Sequence, residues 1–181
     1  LGRRAGPNLR GATILLASGS PRRRSLLEGI GLEVDVRPVD VDETCGPTED
    51  ALAYVRRMAE DKLAAAEQRF GASMPILAAD TIVVRDGTVL GKPVDDEDSA
   101  AMVRSLLGRD HEVVTSVGVL GPEGRRIFDV HTRVTMRPGT EDEVARYVAT
   151  GEGRDKAGAD THLRAHETVL ELVCRRLLEN K

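Results

Sequence analysis

Residues 75–84 read PILAADTIVV, a nearly continuous apolar run, and Asp86-Gly87 follows within two residues. Such a run is consistent with a buried strand, and Asp-Gly is a hairpin signal, so the chain should turn back through Val89 and Leu90. Within the stretch 76–84 the only ionisable residue is Asp80. An unpaired buried carboxylate is costly, so Asp80 should meet a cation or be raised in pKa. A turn cap is the ordinary alternative, but turn residues come only later.

Elements of both kinds flank this run. Residues 12–17 (ATILLA) form a short apolar strand ended by Ser18-Gly19-Ser20. Pro21 then takes the first position of a helix capped by Ser20, running to about Ile30 and stopped at Gly29 or Gly31. Residues 33–39 alternate as a second strand. Thr48 should cap a long helix reaching Phe70, with the apolar stripe Leu52, Val55, Ala59, Leu63, Ala66 and Phe70. Asp95 caps a further helix over 96–107, closed by Gly108. Residues 111–120 and 126–137 are β-rich and joined by a Gly-Pro-Glu-Gly turn. Thr140 and Glu143 make a capping box for a helix ending near Thr150-Gly151. A polar loop over 151–160 leads to a terminal helix over 166–178. Strands and helices alternate without an internal repeat, which gives the α/β class.

The 181 residues suit one domain over 11–181, preceded by a loose basic extension over 1–10 that begins at Leu1 rather than Met. No apolar stretch approaches the ~20 residues of a membrane span. The net charge of −4 argues against a general nucleic-acid binder, and two Tyr, two Phe and no Trp leave little for base stacking. Cys45 and Cys174 form no CxxC pair, which suits a reducing cytoplasm.

Several residues do not behave like scaffold. Ser18-Gly19-Ser20-Pro21-Arg22-Arg23-Arg24 sits at a strand-to-helix junction, where free N–H groups and the positive helix end favour a phosphate. Guanidiniums there offer planar forks to phosphate oxygens, whereas without an anion they oppose the helix dipole. A capped helix with a solvated basic first turn is the plain alternative. Lys62 falls on the inner face of its helix and either snorkels outward or enters a cleft. Lys92, between Gly91 and Pro93, stands on a stiff corner, and Lys156 adds a cation in the late loop. Glu43, after the second strand, could supply a metal carboxylate, although most acidic loops are simply solvated. His111 reads as a core hydrogen-bonder, and His131, His162 and His166 show no metal-ligand spacing. Cations, two carboxylates and an anion cradle suit a magnesium-bound polyphosphate. The GxxxxGK[ST] and GxGxxG loops are absent.

In order, SGSPRR, DVDET, EDKL on a helix, AADT, GKP, GRDHEV, ATGE and DKAGA resemble the Maf (septum formation inhibitor) family over residues 12–159. The resemblance implies a Maf/ITPase-like mixed sheet with flanking helices, two lobes around a deep cleft, and usually a homodimer. It implies a hydrolase dependent on Mg or Mn that cuts a nucleoside triphosphate between the α and β phosphates. In that pattern Asp80 matches the general base and Glu43 its partner carboxylate, the two together holding the metal. Lys62 and Lys92 match the cleft lysines. Ser18, Arg22 and Arg23 match the phosphate loop, beside which Ser20 and Lys156 are further substrate-binding candidates. Arg22 and Thr81 match positions linked to base choice. SPRR with ADT resembles the dTTP/UTP branch rather than the 7-methyl-GTP branch. After Ala159 the chain departs from the family pattern, with a glutamine tied to base recognition and one core strand missing or replaced. That loss would expose apolar surface and unpaired edge groups. A catalytically impaired homologue that only binds nucleotide is the alternative reading.

Overall fold

The computed structural model describes residues 11–154 and 156–159. The expected extension over 1–10, Asp155, the terminal helix over 166–178, Cys174 and the altered tail lie outside the described residues.

Six strands make one mixed sheet in the order β2-β1-β3-β5-β6, with β4 also on β3. The strands are β1 (Thr13–Leu16), β2 (Glu33–Val36), β3 (Ile76–Arg85), β4 (Thr88–Leu90), β5 (Asp110–Gly121) and β6 (Gly124–Thr135). The helices are α1 (Pro21–Gly29), α2 (Ala51–Phe70), α3 (Asp96–Leu106) and α4 (Glu141–Thr150), followed by a short 3-10 turn at Ala157–Ala159. β1 runs parallel to β2 and β3, and the remaining pairs are antiparallel.

β3 is the buried strand that the apolar run implies, with Ile76, Leu77, Ala78, Ala79, Ile82 and Val83 all buried. Its alternate residues face α2 on one side and α1 or α3 on the other. Ala78 and Ile76 pack with Leu63 and Ala66 of α2, while Leu77 and Ala79 pack with Leu27 of α1. Further along, Val83 packs with Leu106 of α3. The hairpin after β3 has positive φ at Asp86 (49°) and Gly87 (78°), the handedness that matches the strand twist.

β5 pairs with β3 from Ile76 through Val84, but the opposite edge of β3 is shared. β1 pairs there only with Ile76 and Leu77, and β4 only with Val83, Val84 and Arg85. Over residues 78–82 that edge has no strand beside it among the described residues. The sheet forks at this point, and the fork positions the site.

β6 spans Gly124–Thr135 rather than 126–137, β5 and α3 shift by one residue at their ends, and two further boundaries differ for a visible reason. The N-cap of α2 is Asp50, not Thr48: its carboxylate accepts from the N–H groups of Leu52 and Ala53, each at 3.0 Å. Thr48 is instead inside a turn closed by the Glu49 N–H on the Gly46 carbonyl, 3.1 Å. β2 ends at Val36 rather than residue 39, because β1 stops at Leu16, whose carbonyl takes the Arg37 N–H at 3.0 Å, and Pro38 has no N–H to give. The stripe of α2 is buried at Val55, Ala59, Leu63 and Ala66, with Met58 completing it. Ser20, Asp95 and the Thr140–Glu143 capping box cap α1, α3 and α4 as their sequences imply.

α2 lies so close to β5 that a Cβ on Gly118 would meet Ile127 Cδ1 at 3.1 Å, Leu63 Cδ2 at 3.2 Å and the Ala59 carbonyl oxygen at 3.3 Å. Gly118→Val should therefore cost about 1–3 kcal/mol in urea unfolding, and an unchanged midpoint would mean that α2 is not seated this closely. Acid acts elsewhere. Glu143 is held at about 2, first by the hydrogen bond from Arg137 and then by the Thr140 N–H. A depressed carboxylate stabilises above its ordinary value of 4.5 and loses that contribution as pH falls toward 2. The thermal midpoint of Glu143→Gln should be less sensitive to pH across that window than the wild-type midpoint.

Candidate active site

At the fork a cavity of about 660 Å³ opens along the free edge of β3. The turn from β1 into α1 brings Ser18, Ser20, Arg22 and Arg23 to it. β3 supplies Asp80 and Thr81, α2 supplies Lys62, and the loop after β2 supplies Glu43. Lys92, leaving β4, and Lys156, in the late turn, complete the set. Every residue that the family pattern marks as catalytic or substrate-binding thus lines one cavity, whereas Arg24 of the same basic run does not.

Its floor is an ion triad. Lys62 Nζ is 2.8 Å from Asp80 Oδ1 and 2.7 Å from Glu43 Oε1. The Lys62 side chain is only 12% exposed, so it enters the cleft rather than snorkelling out. Burial alone would push its ammonium down, but Asp80 and Glu43 together outweigh that and raise it above the ordinary lysine value. The hydrogen bond from Lys62 is the main cause holding Glu43 below the usual carboxylate value, with the charges of Lys62 and Lys92 assisting. Asp80 has the cation that its place in an apolar run demands.

Arg23 turns inward. Its Nη1 donates to the Ala79 carbonyl at 2.7 Å and to Ser18 Oγ at 3.0 Å, and its Nη2 donates to Thr81 Oγ1 at 3.1 Å. Ala79 lies on the part of β3 that no described strand covers, so the guanidinium satisfies a carbonyl left over by the fork. Burial pushes the Arg23 pKa down, opposed by the charge of Asp80. Ser18 and Ser20 help to build the turn, since the Ser20 N–H donates to Ser18 Oγ at 3.3 Å and Ser20 Oγ accepts from the Arg23 N–H at 3.4 Å. Arg24, by contrast, pairs with Glu28 on the surface at 2.7 Å.

The late turn is docked on the hairpin. The Gly158 N–H donates to the Gly91 carbonyl at 2.8 Å. Gly158 has φ +64°, and a Cβ there would lie 3.0 Å from Val83, so glycine is needed twice over. Arg154 grips Asp96, at the start of α3, through two hydrogen bonds of 2.9 and 2.8 Å. These contacts bring Lys156 and Lys92 to one wall.

Three features escape a reading of the sequence alone. Thr115 lines the cavity and shares a 3.0 Å hydrogen bond with Thr81, its partner in the β3–β5 register. The polar pair Thr115-Ser116 inside an apolar strand was its only signal. Leu26, Pro38 and Val39 form an apolar wall without an aromatic ring. Tyr54 and Arg57 of α2 bind the loop that carries Glu43. His111 is buried but does not line the cavity, and His131 lies 3.9 Å from Glu112.

Among the described residues no three His, Cys, Asp or Glu side chains gather into a metal cluster. The donor set is a carboxylate pair, which fits magnesium or manganese completed by water and phosphate oxygens and does not fit a closed zinc site.

Comparison with known proteins identifies the family and the fold. The family described as Maf-like protein matches residues 13–167. The dTTP/UTP pyrophosphatase of Hahella chejuensis is 45% identical over 148 residues, covering 81% of this chain and 74% of the relative. A protein of the same name from Methylobacillus flagellatus is 46% identical over 147 residues, again covering 81% and 74%. The Staphylococcus aureus Ham1 protein has the same fold at a TM-score of 0.53 and 15% identity, over 92% of this chain and 98% of that one. Matched over most of its length by both the family and these relatives, the chain belongs to the Maf family.

Proposed function

We propose that this chain is a nucleoside triphosphate pyrophosphatase that converts dTTP- and UTP-type nucleotides to the monophosphate and pyrophosphate. The observation that carries the reading is the Lys62-bridged pair Glu43 and Asp80, set in a cavity whose rim is cationic. The names of the relatives support the choice of substrate. A role in clearing such triphosphates from the nucleotide pool of the cytoplasm accords with it. No helix among the described residues is long and apolar enough to cross a membrane.

A Mg or Mn ion held by Glu43 and Asp80 would supply Lewis-acid neutralisation of phosphate oxygens. The remaining work falls to the protein. Arg22, Lys92 and Lys156 attract the triphosphate and offset its charge, which lowers the repulsion met by an incoming water. Asp80 orients that water and accepts its proton as the oxygen bonds to the α-phosphorus. The bond from the α-phosphorus to the oxygen bridging it to the β-phosphorus breaks, and pyrophosphate leaves with that oxygen. Lys62 offsets repulsion between the two carboxylates and keeps both directed at the same point. Among the described residues no aromatic side chain lines the cavity, and the base rests against Leu26, Pro38 and Val39 rather than stacking.

Pyrophosphate release from a panel of triphosphates with Mg²⁺ or Mn²⁺ tests the reading. dTTP and UTP should turn over fastest, a chelator should abolish turnover, and Asp80→Asn should lower kcat by roughly 10²–10⁴-fold in a folded protein. Tight nucleotide binding without any pyrophosphate release would replace a hydrolase with a binding protein. Lys62→Met should also cut kcat by at least ~10²-fold, because it removes the cation the carboxylates share; wild-type kcat in that variant would sink the triad.

A further inference from the structure

Glu43 has a difficulty that Asp80 and Lys62 do not share. It stands on residues 37–50, a stretch without helix or strand, and its side chain is 50% exposed. Its neighbours in the triad are fixed by a strand and a helix. A segment of that length has many conformations, and one salt bridge to Lys62 at a half-exposed position is a weak restraint.

The restraint comes from the helix that also carries Lys62. The Tyr54 hydroxyl donates to the backbone carbonyl of Glu43 itself at 2.9 Å. One turn on, Arg57 Nη2 donates to the carbonyl of Thr44 at 2.9 Å. The same guanidinium grips Glu49 through Nε and Nη2, both at 2.7 Å, and Glu49 Oε2 accepts the Gly46 N–H at 3.0 Å. Arg57 lies 5.6 Å from the centre of the Tyr54 ring, so the two side chains brace each other. α2 therefore fixes the loop at residues 43, 44, 46 and 49 and presents Lys62 to the carboxylate so placed.

We infer that Tyr54 and Arg57 are positioning residues of the proposed hydrolysis, holding the backbone at Glu43 and Thr44 so that the Glu43 carboxylate stays on Lys62 opposite Asp80. The inference rests on the function proposed above. Neither residue lines the cavity, so both act through Glu43. Arg22, Lys92 and Lys156 lie on other segments, so nucleotide affinity is largely separate from this strap. Losing a group that orients a ligand residue typically costs roughly 10–100-fold in activity or metal affinity, and one neutral hydrogen bond is worth about 2–10-fold.

The test uses Arg57→Lys and Tyr54→Phe in the full chain, each with Glu43 intact and with Glu43→Gln, and reads three quantities. With Glu43 intact, kcat should fall roughly 10–100-fold for Arg57→Lys and about 2–10-fold for Tyr54→Phe. KM for the nucleotide should stay within about twofold, the mark of a loss confined to the chemical step. In the Glu43→Gln background neither change should lower kcat further. Amide hydrogen exchange over residues 42–50 should rise in both variants while β3 and β5 keep their protection. Equal losses in both backgrounds, or unaltered exchange over 42–50, would overturn the inference, as would wild-type kcat in both variants. If the unmodified chain releases no pyrophosphate from any triphosphate, the functional reading fails instead, and the exchange measurement alone decides whether Tyr54 and Arg57 hold the loop.

Discussion

A strand paired along one whole edge and only at its ends on the other leaves a stretch of backbone whose hydrogen bonds must be found elsewhere. β3 is such a strand, and the stretch over residues 78–82, unpaired on that edge among the described residues, decides where the cation-lined cavity lies. A continuous neighbour would have sealed the edge. Because β1 stops short and β4 is only three residues long, water and small polar molecules can reach a carboxylate that lies in a largely apolar strand. Arg23 bears the cost of the opening by taking the Ala79 carbonyl, and so serves the fold first.

The second dependency is on α2. Its inner face packs on β3 and β5 through Val55, Met58, Ala59, Leu63 and Ala66, closely enough to require glycine at 118. From that seat it delivers Lys62 to Asp80 and ties down the loop of Glu43. Packing and chemistry are therefore linked through one rigid body: a shift of α2 across the sheet would move the cation and the loop anchors together.

Much of this was legible in the residues. The apolar run 75–84 and Asp86-Gly87 specify β3 and its hairpin locally, and Ser20-Pro21, Asp95 and Thr140-Glu143 announce three helix starts by their own side-chain chemistry. An isolated charge in an apolar run is conspicuous, which made Asp80 visible. The reading of α2 went astray at its start because Thr48 and Asp50 are both competent caps, and the choice fell to a turn held by Gly46 and Glu49. Arg23 was marked as a phosphate-loop residue, but its bond to the Ala79 carbonyl was opaque, as was the bond of Tyr54 to the Glu43 carbonyl. Every residue has a carbonyl group, so no pattern of residue types marks either contact. Arg57 also binds Glu49, but charged pairs eight apart are too common to single one out.

The docking of Gly158 on Gly91 has a consequence for the order in which the molecule is made. The carboxylates, Lys62, Arg22 and Arg23 and the hairpin bearing Lys92 all lie within the first hundred residues. The turn that brings Lys156 to them lies some sixty residues later. A chain emerging from the ribosome therefore carries the residues of its acidic floor well before those of that wall. Until Gly158 reaches Gly91, the cleft is one cation poorer than in the finished fold.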